Sequence, residues 1–84
     1  MALSAKQISI LKDVIAAAKD GRYCHGNGAN WVYVEKGNPK QVIHADHVRG
    51  TVSRMTAAES ERYLNGNRPH KSDSTVASLE AFIR

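Results

Sequence analysis

Residues 31–44, with the sequence WVYVEKGNPKQVIH, have the pattern of a β-hairpin. Two runs rich in β-branched and aromatic residues, 31–35 and 41–44, flank a Gly-Asn-Pro loop. Because side chains alternate along a strand, Trp31 and Tyr33 are predicted to share one face of the hairpin. A two-stranded ribbon is not stable alone in water, so the helical patterns before and after it are expected to cover its apolar face.

The segment before the hairpin has the pattern of an amphipathic helix over residues 5–20. Ser4 and Gln7 have the spacing of a capping box, and Gly21 suits the left-handed position that ends a helix. Residues 22–25 could add a short strand, followed by a turn rich in glycine and asparagine. The β region therefore spans residues 22–44 and contains two or three strands.

Three short helices are predicted after the hairpin. Asp46 is a candidate N-cap for a helix over 46–55, with Val48, Val52 and Met55 on one face. A second capping box, Thr56-Ala-Ala-Glu59, opens a helix over 57–64, and a last helix covers 74–83. These elements predict an α+β fold in one domain over residues 1–84, with an N-terminal helix, a small antiparallel sheet and two or three short helices.

Size and composition limit the kinds of protein to which this chain can belong. A chain of 84 residues forms one small domain, and its 42% hydrophobic and 24% charged residues are ordinary for a globular protein. Such a small core leaves room for a homodimer that adds to it. The single cysteine excludes an internal disulfide, and the sequence shows neither a signal peptide nor a long apolar run, so we expect a cytoplasmic protein without membrane contact.

The positive charge is uneven along the chain. The net charge is +4, yet residues 36–54 hold four cations and one acid, and residues 62–71 hold three cations and no acid. Such clustering is typical of a protein that binds a polyanion, although a basic solvated surface has the same appearance. The cations in these two segments are Lys36, Lys40, Arg49, Arg54, Arg62, Arg68 and Lys71.

The first functional hypothesis is binding to nucleic acid, with duplex DNA as the expected ligand. Arginine can contact guanine with two hydrogen bonds, so Arg49 and Arg54 on the predicted helix 46–55 are candidate base contacts. Lysine and arginine elsewhere would contact phosphates. The candidate nucleic-acid-binding residues are Lys36, Lys40, Arg49, Ser53, Arg54, Arg68 and Lys71.

Residues 5–56 also resemble the small winged-helix domains of bacterial and phage transcription control. The similar features are a helix, a Gly-Arg step, a strand ending in Trp-Val-Tyr-Val, a glycine-containing tip and a helix with Thr, Val and Arg. The resemblance implies a winged-helix-like fold and a DNA-binding protein of transcription regulation. The usual winged-helix pattern places the recognition helix before the wing hairpin, whereas in this sequence the hairpin comes first.

The alternatives involve a protein partner, a metal or catalysis. A basic patch would equally fit an acidic protein surface, as in a small phage or plasmid protein that binds and modulates a host complex. Cys24, His25, His44 and His47 include metal-ligand types, but the sequence lacks a Cys-x-x-Cys or His-Glu-x-x-His motif. Since Cys24 and His25 are neighbours on a strand, they would not face each other as nucleophile and base. We therefore predict a non-enzymatic protein with no metal and no cofactor.

Overall fold

The computed structural model describes residues 3–37 and 41–84. It is an α+β structure in which an N-terminal helix is followed by a four-stranded antiparallel sheet and two further helices. The elements are α1 (Ala5–Asp20), β1 (Tyr23–Gly26), β2 (Asn30–Val34), β3 (Val42–Asp46), β4 (Thr51–Arg54), α2 (Ala57–Gly66) and α3 (Asp73–Phe82). The α+β class and the N-terminal helix are confirmed, but the sheet has four strands instead of two or three.

Helix α1 begins and ends where its sequence signals predict. The Ser4 hydroxyl accepts a hydrogen bond from the Gln7 amide, and the Gln7 side chain accepts one from the Ser4 amide. Gly21 adopts a left-handed conformation with φ 79°, and its N–H donates to the carbonyl of Ala17. The apolar stripe of α1, which includes the fully buried Leu11 and Val14, faces the sheet.

The sheet is a simple meander in the order β1-β2-β3-β4. Tyr33 lies opposite Tyr23 on β1 and Ile43 on β3, and Ile43 in turn lies opposite Arg54 on β4. An irregularity in β1 shifts its pairing with β2 between Tyr23 and His25. The predicted hairpin at 31–44 is therefore the centre of the sheet. Three residues of this predicted hairpin, Asn38, Pro39 and Lys40, lie outside the described residues.

The prediction of a helix over 46–55 is wrong. Strand β3 continues to Asp46, residues 47–50 form a turn, and β4 follows. Gly50 adopts φ 71°, a conformation that a helix interior does not use and a hairpin turn does. The winged-helix arrangement is thus not confirmed, because the segment expected to enter a DNA groove is a β-hairpin.

The main core lies between one face of the sheet and helices α1 and α3. Trp31 and Tyr33 share this face, as predicted, and each is only 7% exposed. Helix α3 contributes the buried Leu79 and packs beside α1. The buried residues of this cluster are Ile10, Leu11, Val14, Ile15, Ala17, Ala18, Tyr23, Trp31, Tyr33, Ile43, Ala45 and Leu79.

The linker between α2 and α3 covers the outer edge of β1. His70 exchanges two backbone hydrogen bonds with Tyr23, of 3.2 and 2.8 Å, and so adds one bridge beyond the strand. The Ser72 amide donates to the carbonyl of Ala18 in the last turn of α1. This linker therefore satisfies backbone groups of a strand edge and a helix end at once.

Helix α2 is anchored beneath the second face of the sheet by a buried serine. The Ser60 hydroxyl accepts a hydrogen bond of 3.0 Å from the Val42 amide, and neither residue is more than 1% exposed. Tyr63, one turn further along α2, lies near Cys24 of β1, and burial raises the pKa of its hydroxyl. The second capping box opens α2 at Thr56, as its sequence predicts.

Replacing Ser60 with alanine is expected to lower the free energy of unfolding by about 1–3 kcal/mol, because the buried Val42 amide loses its acceptor. Urea denaturation followed by circular dichroism measures the change. Ser9→Ala is the matched control, since Ser9 is exposed on α1 and its loss should change stability by less than about 0.5 kcal/mol. Equal stability of the two variants would contradict the anchoring role of Ser60.

Candidate nucleic-acid interface

The structure separates the candidate nucleic-acid-binding residues into different parts of the surface. Lys36 and Lys71 lie toward one end of the sheet, and Arg68 lies in the same linker as Lys71. Arg49 lies at the other end, and Ser53 and Arg54 point to opposite faces of β4. Lys40 lies outside the described residues. Arg49 and Arg54 therefore do not share the helix that the sequence predicted, because one lies in a turn and the other ends β4.

The first group lies at the end of the sheet where α1 ends. Lys36 follows β2 by two residues, and the guanidinium of Arg22 donates to the Val34 carbonyl at 2.6 Å, which joins the end of β2 to the chain leaving α1. The side chain of Lys71 lies against Gly21, its Cγ 3.7 Å from where a Cβ of that glycine would be. Lys36 and Lys71 thus lie at the same end of the sheet.

Arg68 belongs to the same linker as Lys71, three residues earlier. Lys36, Arg68 and Lys71 are all exposed, and within the described ranges none of the three forms an ion pair. We call these three residues the basic end. A cation without an acidic partner is free to contact a phosphate without first breaking an existing pair.

Arg54, in contrast, is already engaged. Its Nε and Nη2 donate to the two carboxylate oxygens of Glu35 at 2.7 and 2.5 Å, which is the bidentate geometry of a strong arginine–carboxylate pair. The hydrogen bond with Glu35 raises the pKa of Arg54 above its usual value. A nucleic acid would have to compete with this carboxylate for the guanidinium.

An open groove lies beside this ion pair, between α1 and β4. It has a volume of about 370 Å³, and Tyr33 and Ile43 are among its apolar residues. Burial raises the pKa of Tyr33 to about 12, with a further contribution from the negative charge of Asp13. The groove is lined by Asp13, Ala16, Arg22, Tyr33, Glu35, Lys36, Ile43, Val52 and Arg54, so its charge is mixed instead of uniformly basic.

Arg49 lies at the opposite end of the molecule, in the turn between β3 and β4. Its amide donates to the side chain of Asp46 at 3.0 Å, and its guanidinium is 3.9 Å from the same carboxylate. The side chain of Arg49 is 81% exposed, so this contact restrains it little. Lys6 of α1 lies against the neighbouring Gly50, which makes this turn a second, smaller basic region.

Ser53 lies in a row that crosses the sheet on the face away from α1. The row consists of His25, Val32, His44 and Ser53, one from each strand, paired in that order. His25, His44 and Ser53 are exposed. This face carries neither Trp31 nor Tyr33, which lie in the core, so these two rings are not available to stack on bases.

The histidines and Cys24 do not converge on a metal site. His47 is 4% exposed and accepts a hydrogen bond of 3.0 Å from the Trp31 indole through Nδ1, on the core side of the sheet. His25 and His44 lie on the other face, with Val32 between them. Among the described residues, no three His, Cys, Asp or Glu side chains are grouped as metal ligands. Burial raises the pKa of Cys24, which disfavours its thiolate form.

The contact between Trp31 and His47 was not anticipated from the sequence. It also involves α3, because the rings of His47 and Phe82 meet edge to face with centroids 5.9 Å apart. His47 follows a strand instead of beginning a helix, which directs its ring into the core. No periodic pattern marks such a residue, because it lies in a turn.

Comparison of the chain with protein-family models, curated proteins and solved structures gives no match. None of the helices in the part of the chain that the structure describes is both long and apolar enough to cross a membrane. The geometry and charge of the surfaces described above are therefore the basis for assigning a function.

Proposed function

We propose that this protein binds nucleic acid without catalysing a reaction, and that duplex DNA is its ligand. The observation that carries the proposal is the basic end, where Lys36, Arg68 and Lys71 are exposed and have no acidic partner among the described residues. Lys40, the fourth cation that the sequence assigns to phosphate contacts, lies outside the described residues. Contacts of this kind neutralise phosphates and release counterions, which drives binding.

The proposed mode of binding is contact with the phosphate backbone. Arg54 is held by Glu35, and Arg49 lies at the far end of the sheet, so these two arginines do not extend the basic end into a surface for reading bases. Phosphate contacts position a protein on DNA but carry no sequence information of their own. We therefore expect weak sequence preference, with an accessory or regulatory role in DNA transactions.

Binding to a random duplex, measured by fluorescence anisotropy, tests the proposal. With three phosphate contacts, affinity should fall by about 40-fold between roughly 50 and 200 mM salt, because each neutralised phosphate contributes about 0.9 to the logarithmic slope. A steep slope of this kind supports binding through the basic end. Absence of binding even at the lower salt concentration would refute the proposal.

A pair of charge-matched triple variants locates the surface. Replacing Lys36, Arg68 and Lys71 with alanine should abolish most of the salt-dependent affinity. Replacing Lys6, Lys12 and Arg84 removes the same formal charge from other exposed positions and should leave most of the affinity intact. Equal losses in the two variants would mean that net charge, and not the basic end, causes binding.

A protein partner with an acidic surface is the competing function, since the same cations would bind it. The mixed charge of the groove beside Arg54 favours a protein ligand more than a phosphate backbone. If duplex DNA does not bind, capture of partners with the native protein and with the first triple variant as the control would test this alternative.

A further inference from the structure

Strand β4 is a free edge of the sheet. It pairs with β3 on one side, and no other described residue pairs with it on the other side. All four of its residues are exposed, including Val52, which is 54% exposed. The opposite edge, β1, is covered at Tyr23 by His70, so β4 is the more open of the two edges.

The direction of the unpaired backbone groups follows from the pairing with β3. The Met55 amide donates to the Val42 carbonyl, so Met55 and its alternate neighbours Ser53 and Thr51 direct their backbone groups toward β3. Val52 and Arg54 consequently direct theirs outward. Two donors and two acceptors are thus available in line along the edge.

Apart from its length of only four residues, this edge has few of the features that usually prevent pairing with another strand. Natural edge strands are protected by proline, by bulges or by charges that point inward. The sequence Thr-Val-Ser-Arg has no proline, and its pairing with β3 is regular. Its one charge, on Arg54, is neutralised by the bidentate contact with Glu35.

We propose that β4 pairs antiparallel with β4 of a second copy of this chain, which would join the two sheets into one of eight strands. In the twofold arrangement that uses all the outward groups, Val52 lies opposite Arg54 of the second copy, and Ser53 lies opposite Ser53. Two symmetric pairs then form four backbone hydrogen bonds. The edge is complementary to itself because each copy supplies both donors and acceptors.

The side chains also favour a second copy over an unrelated strand. Val52 and Arg54 point to the side of the sheet that α1 covers, where the groove lined by Tyr33 and Ile43 remains open. In the proposed pairing, each Val52 would cover the aliphatic part of the opposite Arg54 at the border of this groove. The guanidinium groups would not repel each other strongly, because each keeps its own Glu35.

Sedimentation velocity of the full chain up to millimolar concentration tests self-association. The expected result is reversible formation of a species with twice the chain mass of 9.2 kDa. Val52→Lys should weaken the dimer by about tenfold or more, since a lysine on an edge strand would face Arg54 of the other copy. Val48→Lys is the matched control, because Val48 is a similarly exposed valine in the adjacent turn, and it should not change the dimer.

A disulfide test defines the register in a background with Cys24→Ser. Ser53→Cys should form an intermolecular disulfide, because a directly opposed pair without backbone hydrogen bonds has Cα atoms about 4.5 Å apart. Thr51→Cys lies on the same strand and face but should not cross-link, since its two copies would be about 13 Å apart. A monomer at all concentrations, a dimer unaffected by Val52→Lys, or equal cross-linking of both cysteines would overturn the proposal.

Discussion

Replacing Leu11 with alanine is expected to lower the free energy of unfolding by about 3–5 kcal/mol. Leu11 is completely buried in the stripe of α1 that packs on the sheet. The loss has two parts, the transfer free energy of the deleted atoms and the cost of the cavity that remains. In a domain of this size the total stability is about 5 kcal/mol, so the variant should be partly unfolded at room temperature.

Urea denaturation followed by the fluorescence of Trp31, the only tryptophan in the chain, measures this effect. Lys12→Ala is the neighbouring control, because Lys12 is exposed on the same helix and alanine has a slightly better helix propensity. Lys12→Ala should therefore match the native protein within about 0.5 kcal/mol. A loss below about 1 kcal/mol for Leu11→Ala would contradict the packing of α1 on the sheet.

Local signals account for most of the predicted elements. The two capping boxes, at Ser4 and Thr56, each lie immediately before the first residue of a helix, and they are visible in the sequence because their hydrogen bonds join residues only three apart. The alternation in 31–35 likewise identifies the strand whose Trp31 and Tyr33 face the core. These signals succeed because the interactions behind them are contained within a few residues of the sequence.

The prediction of a helix over 46–55 was wrong, although the capping signal at Asp46 on which it was based is real. The Asp46 side chain does accept a hydrogen bond from the amide three residues later, as an N-cap would. The bond closes a turn instead of opening a helix, and Gly50 then reverses the chain into β4. The apparent apolar face was also misleading, since Val48 and Val52 are 62% and 54% exposed.

The candidate interface was only partly predictable, because charge along the sequence does not reveal which charges are paired. Arg54 and Glu35 are 19 residues apart, and only the sheet brings them together. Lys36 and Lys71 are further apart in sequence but lie at the same end of the sheet. Long-range pairing therefore determines which of the candidate cations are available to a ligand.

Gly26→Ala is the second substitution with a large expected effect, a loss of about 3 kcal/mol of unfolding free energy. Gly26 lies in β1 opposite Trp31, and a Cβ at this position would lie less than 3.0 Å from the Trp31 ring and the Tyr23 hydroxyl. Both aromatic side chains are 7% exposed and belong to the core cluster, so relief of the clash requires a shift of the Trp31 ring and of the Tyr23 side chain from their packed positions. Gly26 does not have a positive φ, so its backbone conformation does not require glycine. Glycine is needed at this position because a larger residue would not fit.

Thermal unfolding separates this steric effect from a general cost of replacing glycine. The expected loss corresponds to a decrease in Tm of about 12 °C or more for a domain of this size. Gly66→Ala is the matched control, because Gly66 is the last residue of α2 and has open space where its Cβ would lie. The control should be neutral or slightly stabilising, because alanine favours a helix by up to about 1 kcal/mol over glycine. If both variants unfold at the native temperature, Trp31 is not packed against Gly26 and the core between β1, β2 and α3 must be arranged differently.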